Sequence, residues 1–259
     1  MKRDFVEERR QKIVEYVNKS SRADISELAE LFSTTEATIR RDLITLESQK
    51  LVSRVHGGVM KRRQPALWQT TLLDNRTKAN QEEKTRIAEF VVEHLIHDGE
   101  SLMIDAGSTT LAVASALIHR KNLLAVTNSP RIGELLSRES QSKVILTGGE
   151  LLKETAAMIG SIAEHSLMNF RTDKAIIGVS GLIEEEGCFS AVPHEAEVKR
   201  IMSMNASETI IVADSSKIGV KAFCFIGGFE NIDKLVTDNN IDSEALKKIQ
   251  DNGIEVFTV

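Results

Sequence analysis

Apolar residues near the start of the chain recur every three or four positions, a spacing that predicts helices. We predict a first helix over 5–17. A second helix should begin at Asp24-Ile25-Ser26-Glu27, where the acidic residue and the glutamate three positions later form a capping-box pattern. After a tight turn at Ser33-Thr34, a third helix places Ile39, Leu43 and Leu46 on one stripe that must be buried. Two short helices joined by such a turn predict a helix-turn-helix.

The opposite face of the third helix carries short side chains and two guanidinium groups. Short side chains allow close approach to DNA bases, and guanidinium groups suit guanine or phosphate. Taken alone, the same pattern is also typical of a capped surface helix with solvated arginines. The candidate DNA contacts on this helix are Thr34, Thr35, Ala37, Thr38, Arg40 and Arg41.

The segment 51–60 alternates apolar and polar residues around Gly57-Gly58, which predicts a small hairpin. A hairpin directly after a helix-turn-helix is the wing of a winged helix, and it favours DNA binding over the surface-helix interpretation. The wing adds basic candidate contacts at Arg54, His56, Lys61, Arg62 and Arg63. We therefore assign 1–63 to an α+β winged helix-turn-helix domain.

The rest of the chain predicts a second domain of a different class. Residues 64–77 contain Pro65 and Trp68 and few periodic apolar positions, so we assign them to a linker, followed by a long bridging helix over 78–96. Short apolar runs then alternate with helical segments, which predicts a Rossmann-like α/β domain with a largely parallel sheet over 78–259. The predicted strands are 102–105, 123–127, 144–147, 175–179, 209–213, 235–237 and 255–258, and the predicted helices are 110–118, 131–138, 162–170, 195–205 and 243–252.

Polar residues follow four of these strands, at the edge where parallel sheets bind ligands. Asp105-Ala106-Gly107-Ser108-Thr109-Thr110 ends the first strand and opens a helix, where a tight glycine turn and free N–H groups suit a phosphate. By itself this stretch is more typical of a simple capped turn. Thr127-Asn128-Ser129, Thr147-Gly148-Gly149 and Asp214-Ser215-Ser216-Lys217 end three further strands. Capping does not readily explain four such ends on neighbouring strands, and we expect a ligand crevice there.

The distribution of charge agrees with this division. The chain has a net charge of −5, but residues 1–63 hold 14 Lys+Arg against 10 Asp+Glu, and the remainder holds 19 against 28. The positive charge is thus concentrated in the segment expected to bind DNA. Two cysteines, no metal-ligand spacing, no apolar run long enough for a membrane span and no signal sequence predict a soluble cytoplasmic protein without a metal or cofactor.

Spaced residues over the whole N-terminal segment carry a family resemblance. They are Arg9, Ile13 and Val17, then Thr35-x-x-Thr38-Ile39-Arg40-Arg41-Asp42-Leu43, then Arg54-Val55-His56-Gly57-Gly58. This ordered set resembles the DeoR family of bacterial transcriptional regulators. The resemblance implies a regulator, most commonly a repressor of a sugar-utilisation operon, with double-stranded operator DNA as its partner.

The C-terminal motifs extend the resemblance to nearly the whole chain. Asp-x-Gly-Ser-Thr-Thr at 105–110, the Thr-Asn-Ser and Gly-Gly strand ends, Glu195-Ala196-Glu197-Val198-Lys199 and the Asp-Ser-Ser-Lys at 214–217 resemble the family's sensor domain, which is similar to ribose-5-phosphate isomerase. A phosphorylated sugar effector is implied. By resemblance, the 107–110 turn would hold phosphate, Lys217 would add positive charge, and Asp105 and Glu195 would accept hydrogen bonds from sugar hydroxyls. The full set of implied effector residues is Asp105, Gly107, Ser108, Thr109, Thr110, Asn128, Ser129, Gly148, Gly149, Glu195, Lys199, Asp214 and Lys217.

A sugar-phosphate enzyme with an appended DNA-binding domain is the alternative hypothesis. The isomerase uses an Asp-Gly-Ala-Asp stretch and a Lys-Gly-Gly-Gly loop, whereas the comparable region here, 178–188, has neither the paired aspartates nor the lysine. A site without proton-transfer groups can bind the substrate without converting it, so we predict a non-enzyme. A single winged helix makes few DNA contacts, and we also expect a homodimer or homotetramer.

Overall fold

The computed structural model describes residues 2–20, 22–48, 51–55, 57–61 and 72–259. His56, Arg62, Arg63 and most of the predicted linker therefore lie outside the described residues, as does the side chain of Lys61. The chain divides into two compact units, Met1–Pro65 and Ala66–Val259.

The first unit contains three helices and a three-stranded antiparallel sheet of order β1-β3-β2 among its described residues. The predicted helix-turn-helix and hairpin are present, and the capping box of Asp24 and Glu27 forms as expected. The elements are α1 (Lys2–Ser20), β1 (Arg22–Asp24), α2 (Ile25–Leu31), α3 (Glu36–Ser48), β2 (Val52–Val55) and β3 (Gly58–Lys61). The three-residue strand β1 was not predicted, because it is too short to show a period.

The stripe on α3 forms the core of this unit. Ile39, Leu43 and Leu46 are buried against residues of α1 and α2, among them Ile13 and Leu28. Burying each such side chain contributes about 1.5–3 kcal/mol. This packing leaves the opposite face of α3 exposed.

The second unit is built on a sheet of seven parallel strands, in agreement with the predicted fold class. All seven predicted sheet strands and all five predicted helices that follow the bridging helix are present, with ends shifted by up to three residues. The elements are α4 (Leu73–Lys78), α5 (Gln81–Phe90), β4 (Ser101–Ile104), α6 (Ser108–Ala116), β5 (Leu124–Thr127), α7 (Pro130–Glu139), β6 (Lys143–Leu146), β7 (Glu150–Leu152), β8 (Ala157–Ile159), α8 (Ser161–Met168), β9 (Thr172–Gly178), β10 (Gly181–Ile183), β11 (Gly187–Ser190), α9 (Pro193–Met204), β12 (Ala206–Val212), β13 (Cys224–Gly227), β14 (Lys234–Thr237), α10 (Ser243–Asp251) and β15 (Glu255–Thr258).

The strand order of the sheet is β15-β14-β12-β9-β4-β5-β6. The chain builds outward from β4 through β5 to β6, then returns to the other side of β4 and builds outward from β9. The direction therefore reverses between β4 and β9, which is the position where open parallel sheets bind ligands.

Helices cover both faces of the sheet, so its strands are apolar on both sides. Helices α5, α6 and α7 bury one face, with Ile87, Val113 and Ile132 in the core. Helices α8, α9 and α10 bury the other face. Alternation along β4 sends Leu102 and Ile104 to the first core and Met103 to the second.

The predicted linker and bridging helix differ from the structure. Residues 73–78 form α4, which the prediction placed in the linker, and α5 begins only at Gln81. The break lies at Ala79, which is extended, and at Asn80, which has a φ of 50°. Helix α5 continues as a π-helical turn over Val91–Leu95.

Two small antiparallel sheets were also not predicted. One is the β7–β8 hairpin, and the other has the order β10-β11-β13. Their strands have only three or four residues, too few for a period-two pattern to stand out.

Candidate functional sites

The exposed face of α3 presents the predicted short and basic side chains. Ala37, Arg40 and Arg41 are exposed, whereas Thr34 and Thr38 are partly buried. Thr35 caps the helix, because its hydroxyl accepts a hydrogen bond from the Thr38 N–H at 3.3 Å. The face is thus a rigid helix start with its basic groups directed away from the core.

The arginines of this unit have different partners. Arg40 forms an ion pair with Glu36 at 2.8 Å, and Arg54 on β2 lies 3.6 Å from Glu47. Arg41 is exposed and forms no ion pair with any of the described residues. Arg41 is therefore the α3 guanidinium that can reach a ligand without breaking an ion pair.

Asp42 has a structural role that the sequence pattern did not reveal. Its carboxylate is buried and accepts hydrogen bonds from Arg9 Nε at 2.8 Å and Arg10 Nε at 2.9 Å. These ion pairs fasten α1 to α3, so the arginine of the family pattern at position 9 orients the recognition helix.

In the second unit, the end of β4 lies against the end of β9 at the reversal point. The Asp105 carboxylate is buried, forms an ion pair with Lys199 from α9, and accepts a hydrogen bond from the Gly178 N–H at 3.3 Å. The sequence placed both Asp105 and Lys199 in one site, and the structure brings them together. Lys199 and the Gly178 N–H both contact the same Asp105 oxygen, Oδ2.

The turn after Asp105 opens α6 with several free backbone donors. The first-turn N–H groups of a helix have no intrahelical acceptor, and here they belong to Ser108, Thr109 and Thr110. The Thr110 hydroxyl is not available to a ligand, since it accepts from the Gly107 N–H at 2.8 Å and donates to the Asp105 carbonyl. Thr110 can therefore offer a ligand its backbone N–H but not its hydroxyl.

Two other predicted residues also use their side chains within the protein. Asn128 accepts from the Ala106 N–H at 2.9 Å and donates to the Met158 carbonyl at 3.1 Å. The Ser129 hydroxyl caps α7 by accepting from the Ile132 N–H at 3.3 Å. Asn128 therefore ties the 105–107 turn to the β7–β8 hairpin, and both residues shape the site rather than offer free groups.

The Gly148-Gly149 pair lets the chain turn from β6 into this hairpin. Both glycines have positive φ, 71° and 116°. A Cβ at Gly149 would lie 2.5 Å from the Ile159 carbonyl oxygen, so only glycine fits. The pair sets the path of the hairpin.

Two buried carboxylates have oxygens without a partner among the described residues. These are Oε1 of Glu195, at the start of α9, and Oδ2 of Asp214, after β12. Buried polar atoms in proteins usually have a partner. Free oxygens of this kind are suited to accept hydroxyl groups of a polar ligand.

The prediction placed the four polar strand ends on neighbouring strands, and this is wrong for one of them. Strands β4, β5 and β6 are neighbours, but β9 separates β12 from β4. Asp214 and the partly buried Lys217 therefore lie about 10 Å to one side of Asp105.

Three residues in the segment near Asp214 were missed by the sequence interpretation, namely Arg76, Asn80 and Lys84. Asn80 Nδ2 donates to Asp214 Oδ1 at 2.7 Å. Lys84 is buried and donates to the carbonyl oxygens of Arg76 and Ala79. The sequence interpretation assigned them to a linker and a continuous helix, and the break at Ala79 and Asn80 was not predicted.

The described residues contain no group of three or more His, Cys, Asp or Glu side chains that could hold a metal ion. Within the same ranges, no helix combines the length and the apolar character needed to cross a membrane.

A winged helix-turn-helix followed in the chain by a parallel α/β unit, with buried polar side chains at the reversal point of its sheet, is typical of a DNA-binding regulator with a sensor domain. Residues 9–64 match the DeoR-like helix-turn-helix domain, and residues 79–239 match the DeoR C-terminal sensor domain. The chain belongs to the DeoR family of transcriptional regulators.

Individual relatives agree with this assignment. The chain is 34% identical to the uncharacterized HTH-type transcriptional regulator YulB of Bacillus subtilis, over 98% of this chain and 97% of that protein. It is also 34% identical to the glycerol-3-phosphate regulon repressor of Escherichia coli, over 94% and 95% of the two chains. A ribose 5-phosphate isomerase A from Methanocaldococcus jannaschii matches 55% of this chain and 56% of its own, with 18% identity and a TM-score of 0.41.

Proposed function

We propose that this regulator represses a sugar or sugar-derivative utilisation operon and that a phosphorylated sugar bound at the β4/β9 reversal point controls its operator affinity. The observation that carries the proposal is the meeting of the open start of α6, the Asp105–Lys199 pair and the free Glu195 oxygen at one edge of the sheet. A relative named for the glycerol-3-phosphate regulon supports a phosphorylated metabolite as the signal.

Each group has a distinct role in this proposal. The N–H groups of Ser108 and Thr109, at the positive end of α6, bind phosphate. Glu195 accepts hydrogen bonds from sugar hydroxyls through its free oxygen, and Lys199 orients Asp105 beside it. Lys217 and Asp214 contact the part of the ligand above β12.

We also propose that the crevice binds without catalysis. Two of the three consecutive glutamates that follow β10 are exposed to solvent. Glu185 and Glu186 are exposed and form ion pairs with Lys248 and Lys221. This supports a solvated loop in place of an acid–base pair.

Calorimetry on the purified full chain tests the chemistry of the site. We expect phosphorylated sugars to bind and the corresponding free sugars to bind at least tenfold more weakly, because only the phosphate engages the start of α6. Equal binding of both forms would refute the phosphate assignment, and turnover of ribose 5-phosphate would favour the enzyme hypothesis.

Operator titrations test the regulation. We expect the bound sugar phosphate to change operator affinity by a coupling of about 1–3 kcal/mol, measured with an operator selected from random-sequence DNA. Lys217→Ala should bring the ratio of affinities with and without the sugar phosphate close to one. Exposed Lys247→Ala on α10 serves as the control. A full response in the Lys217 variant would place the sensor groups elsewhere.

A further inference from the structure

The guanidinium of Arg76 is the least explained group in the second unit. Its Nε and Nη2 atoms are shielded from solvent and have no hydrogen-bond partner among the described residues. A guanidinium carries five N–H donors and stays charged at any physiological pH. Leaving it buried beside no anion costs free energy, which an arginine with a purely structural role avoids by pairing with a carboxylate.

Neither nearby carboxylate pairs with Arg76, although Asp214 Oδ2 is itself without a partner among the described residues. Asp74, on the same helix, pairs with Arg131 at 2.6 Å. Asp214 Oδ1 accepts from Asn80 and Ser216. Arg76 is therefore not held by an ion pair with either of them.

Helix α4, which carries Arg76, is fastened across the ligand edge of the sheet. The Leu73 N–H donates to the Glu154 carbonyl in the β7–β8 hairpin at 2.9 Å, and the Asp74–Arg131 pair joins α4 to the start of α7. The helix also packs against α6, whose first turn is the proposed phosphate site. Arg76 thus lies on the element that packs beside the proposed phosphate site.

Basic side chains are concentrated around Lys84, which follows α4 in the chain. Burial lowers the pKa of the Lys84 ammonium, and the cations of Lys217 and Arg76 lower it further, while Asp214 opposes them. The cations of Lys217 and Arg76 therefore both lie within electrostatic reach of Lys84, with Asp214 and Glu83 as the carboxylates that act on it. Such a cluster favours an added anion.

We infer that Arg76 binds the anionic group of the effector and that Lys84 positions it by holding the carbonyl oxygens that end α4. The inference rests on the proposed function and adds a ligand-binding residue from outside the strand-end motifs. A guanidinium matches phosphate through paired N–H donors. Helix α4 is the first described element after residues 62–71, which follow the winged helix in the sequence. An effector bound to Arg76 would therefore contact the part of the chain that connects the two units in sequence.

The test measures phosphate binding to the full chain by calorimetry and by the rise in Tm. Inorganic phosphate and ribose 5-phosphate are the probes, and the variants are Arg76→Gln and Arg76→Lys. Arg86→Gln, an exposed position on α5, is the control. We expect Arg76→Gln to weaken binding at least about tenfold through the loss of charge-assisted hydrogen bonds. Arg76→Lys, which keeps the charge but not the planar pair of donors, should fall between Arg76→Gln and the wild type, and Arg86→Gln should match the wild type.

A second readout separates binding from structure. In phosphate-free buffer Arg76→Gln should melt no lower than the wild type, because Nε and Nη2 have no partner to lose among the described residues. A clearly lower Tm there would make Arg76 a structural residue and overturn the assignment. Wild-type-like binding by Arg76→Gln would overturn this inference alone, whereas a wild-type chain that binds neither phosphate nor any phosphorylated sugar would overturn the proposed function as well.

Discussion

Asp105 and Lys199 show how strongly one residue pair can constrain the sensor site. Both side chains are almost fully buried, and each is the other's counter-ion. Removing one partner of a buried pair leaves an uncompensated charge. Asp105 is consequently a poor position for testing ligand binding by truncation, although the sequence motif pointed to it first.

Lys199→Met should lower the free energy of unfolding by about 3–5 kcal/mol, because the Asp105 carboxylate is left buried without its counter-ion. Urea denaturation measures this change. Lys221→Met removes an exposed ion pair to Glu186 and should cost less than about 1 kcal/mol. Equal losses in the two variants would contradict the structural importance of the pair, and adding Asp105→Asn to Lys199→Met should recover part of the loss.

On the DNA-binding unit, Arg41→Ala should cost about 1–3 kcal/mol in affinity for the selected operator, because Arg41 is free to contact a base. Fluorescence anisotropy at fixed salt gives the measurement, and exposed Arg171→Ala in the second unit is the control. Operator affinity that is unchanged in a folded Arg41 variant would refute the base contact.

Arg54→Ala, by contrast, should weaken binding to all duplexes alike and reduce the salt dependence of that binding.

At the scale of elements, the break between α4 and α5 depends on Asn80. Its left-handed backbone conformation, with a φ of 50°, redirects the chain, and its amide bonds to Asp214. Asparagine tolerates this conformation better than most residues, since its short polar side chain can bond locally. The break is therefore stabilised both by the local preference of asparagine for this conformation and by the hydrogen bond to Asp214.

Asn80→Ala and Asn80→Gly form a matched pair that separates these two contributions. Both lose the hydrogen bond to Asp214, but only alanine is strained at positive φ. We expect Asn80→Ala to be about 1 kcal/mol less stable than Asn80→Gly in urea denaturation. The opposite order would show that the backbone at this position relaxes without strain.

For the whole molecule, assembly follows from the size of the DNA-binding unit. One winged helix contacts a short half-site, and symmetric dimers that bind paired half-sites are the usual way to gain affinity. We propose that this chain forms a homodimer or homotetramer, and sedimentation at micromolar concentration should show it with and without operator DNA. A monomer under both conditions would contradict the proposal.

The sequence alone determined most of the secondary structure and the family. Caps such as Asp24 with Glu27, and the stripe of Ile39, Leu43 and Leu46, are local signals whose meaning depends on nearby residues. The strands of the parallel sheet could be predicted because they are buried on both faces and appear as apolar runs. Strand-end motifs such as Asp105-x-Gly107 likewise indicated the edge of the sheet at which we propose that the effector binds.

Only the tertiary structure decided which polar groups meet and which are already occupied. Strand order is a long-range property, so the sequence could not show that β9 separates Asp214 from Asp105. The sequence interpretation assigned the Asn128 amide to the effector, yet in the fold it bonds to the Ala106 N–H and the Met158 carbonyl, which lie far from it in sequence. Arg76 and Lys84 lie in segments whose periodicity was interpreted as linker and helix. Their place beside Asp214 depends on one left-handed residue and on packing between elements far apart in sequence.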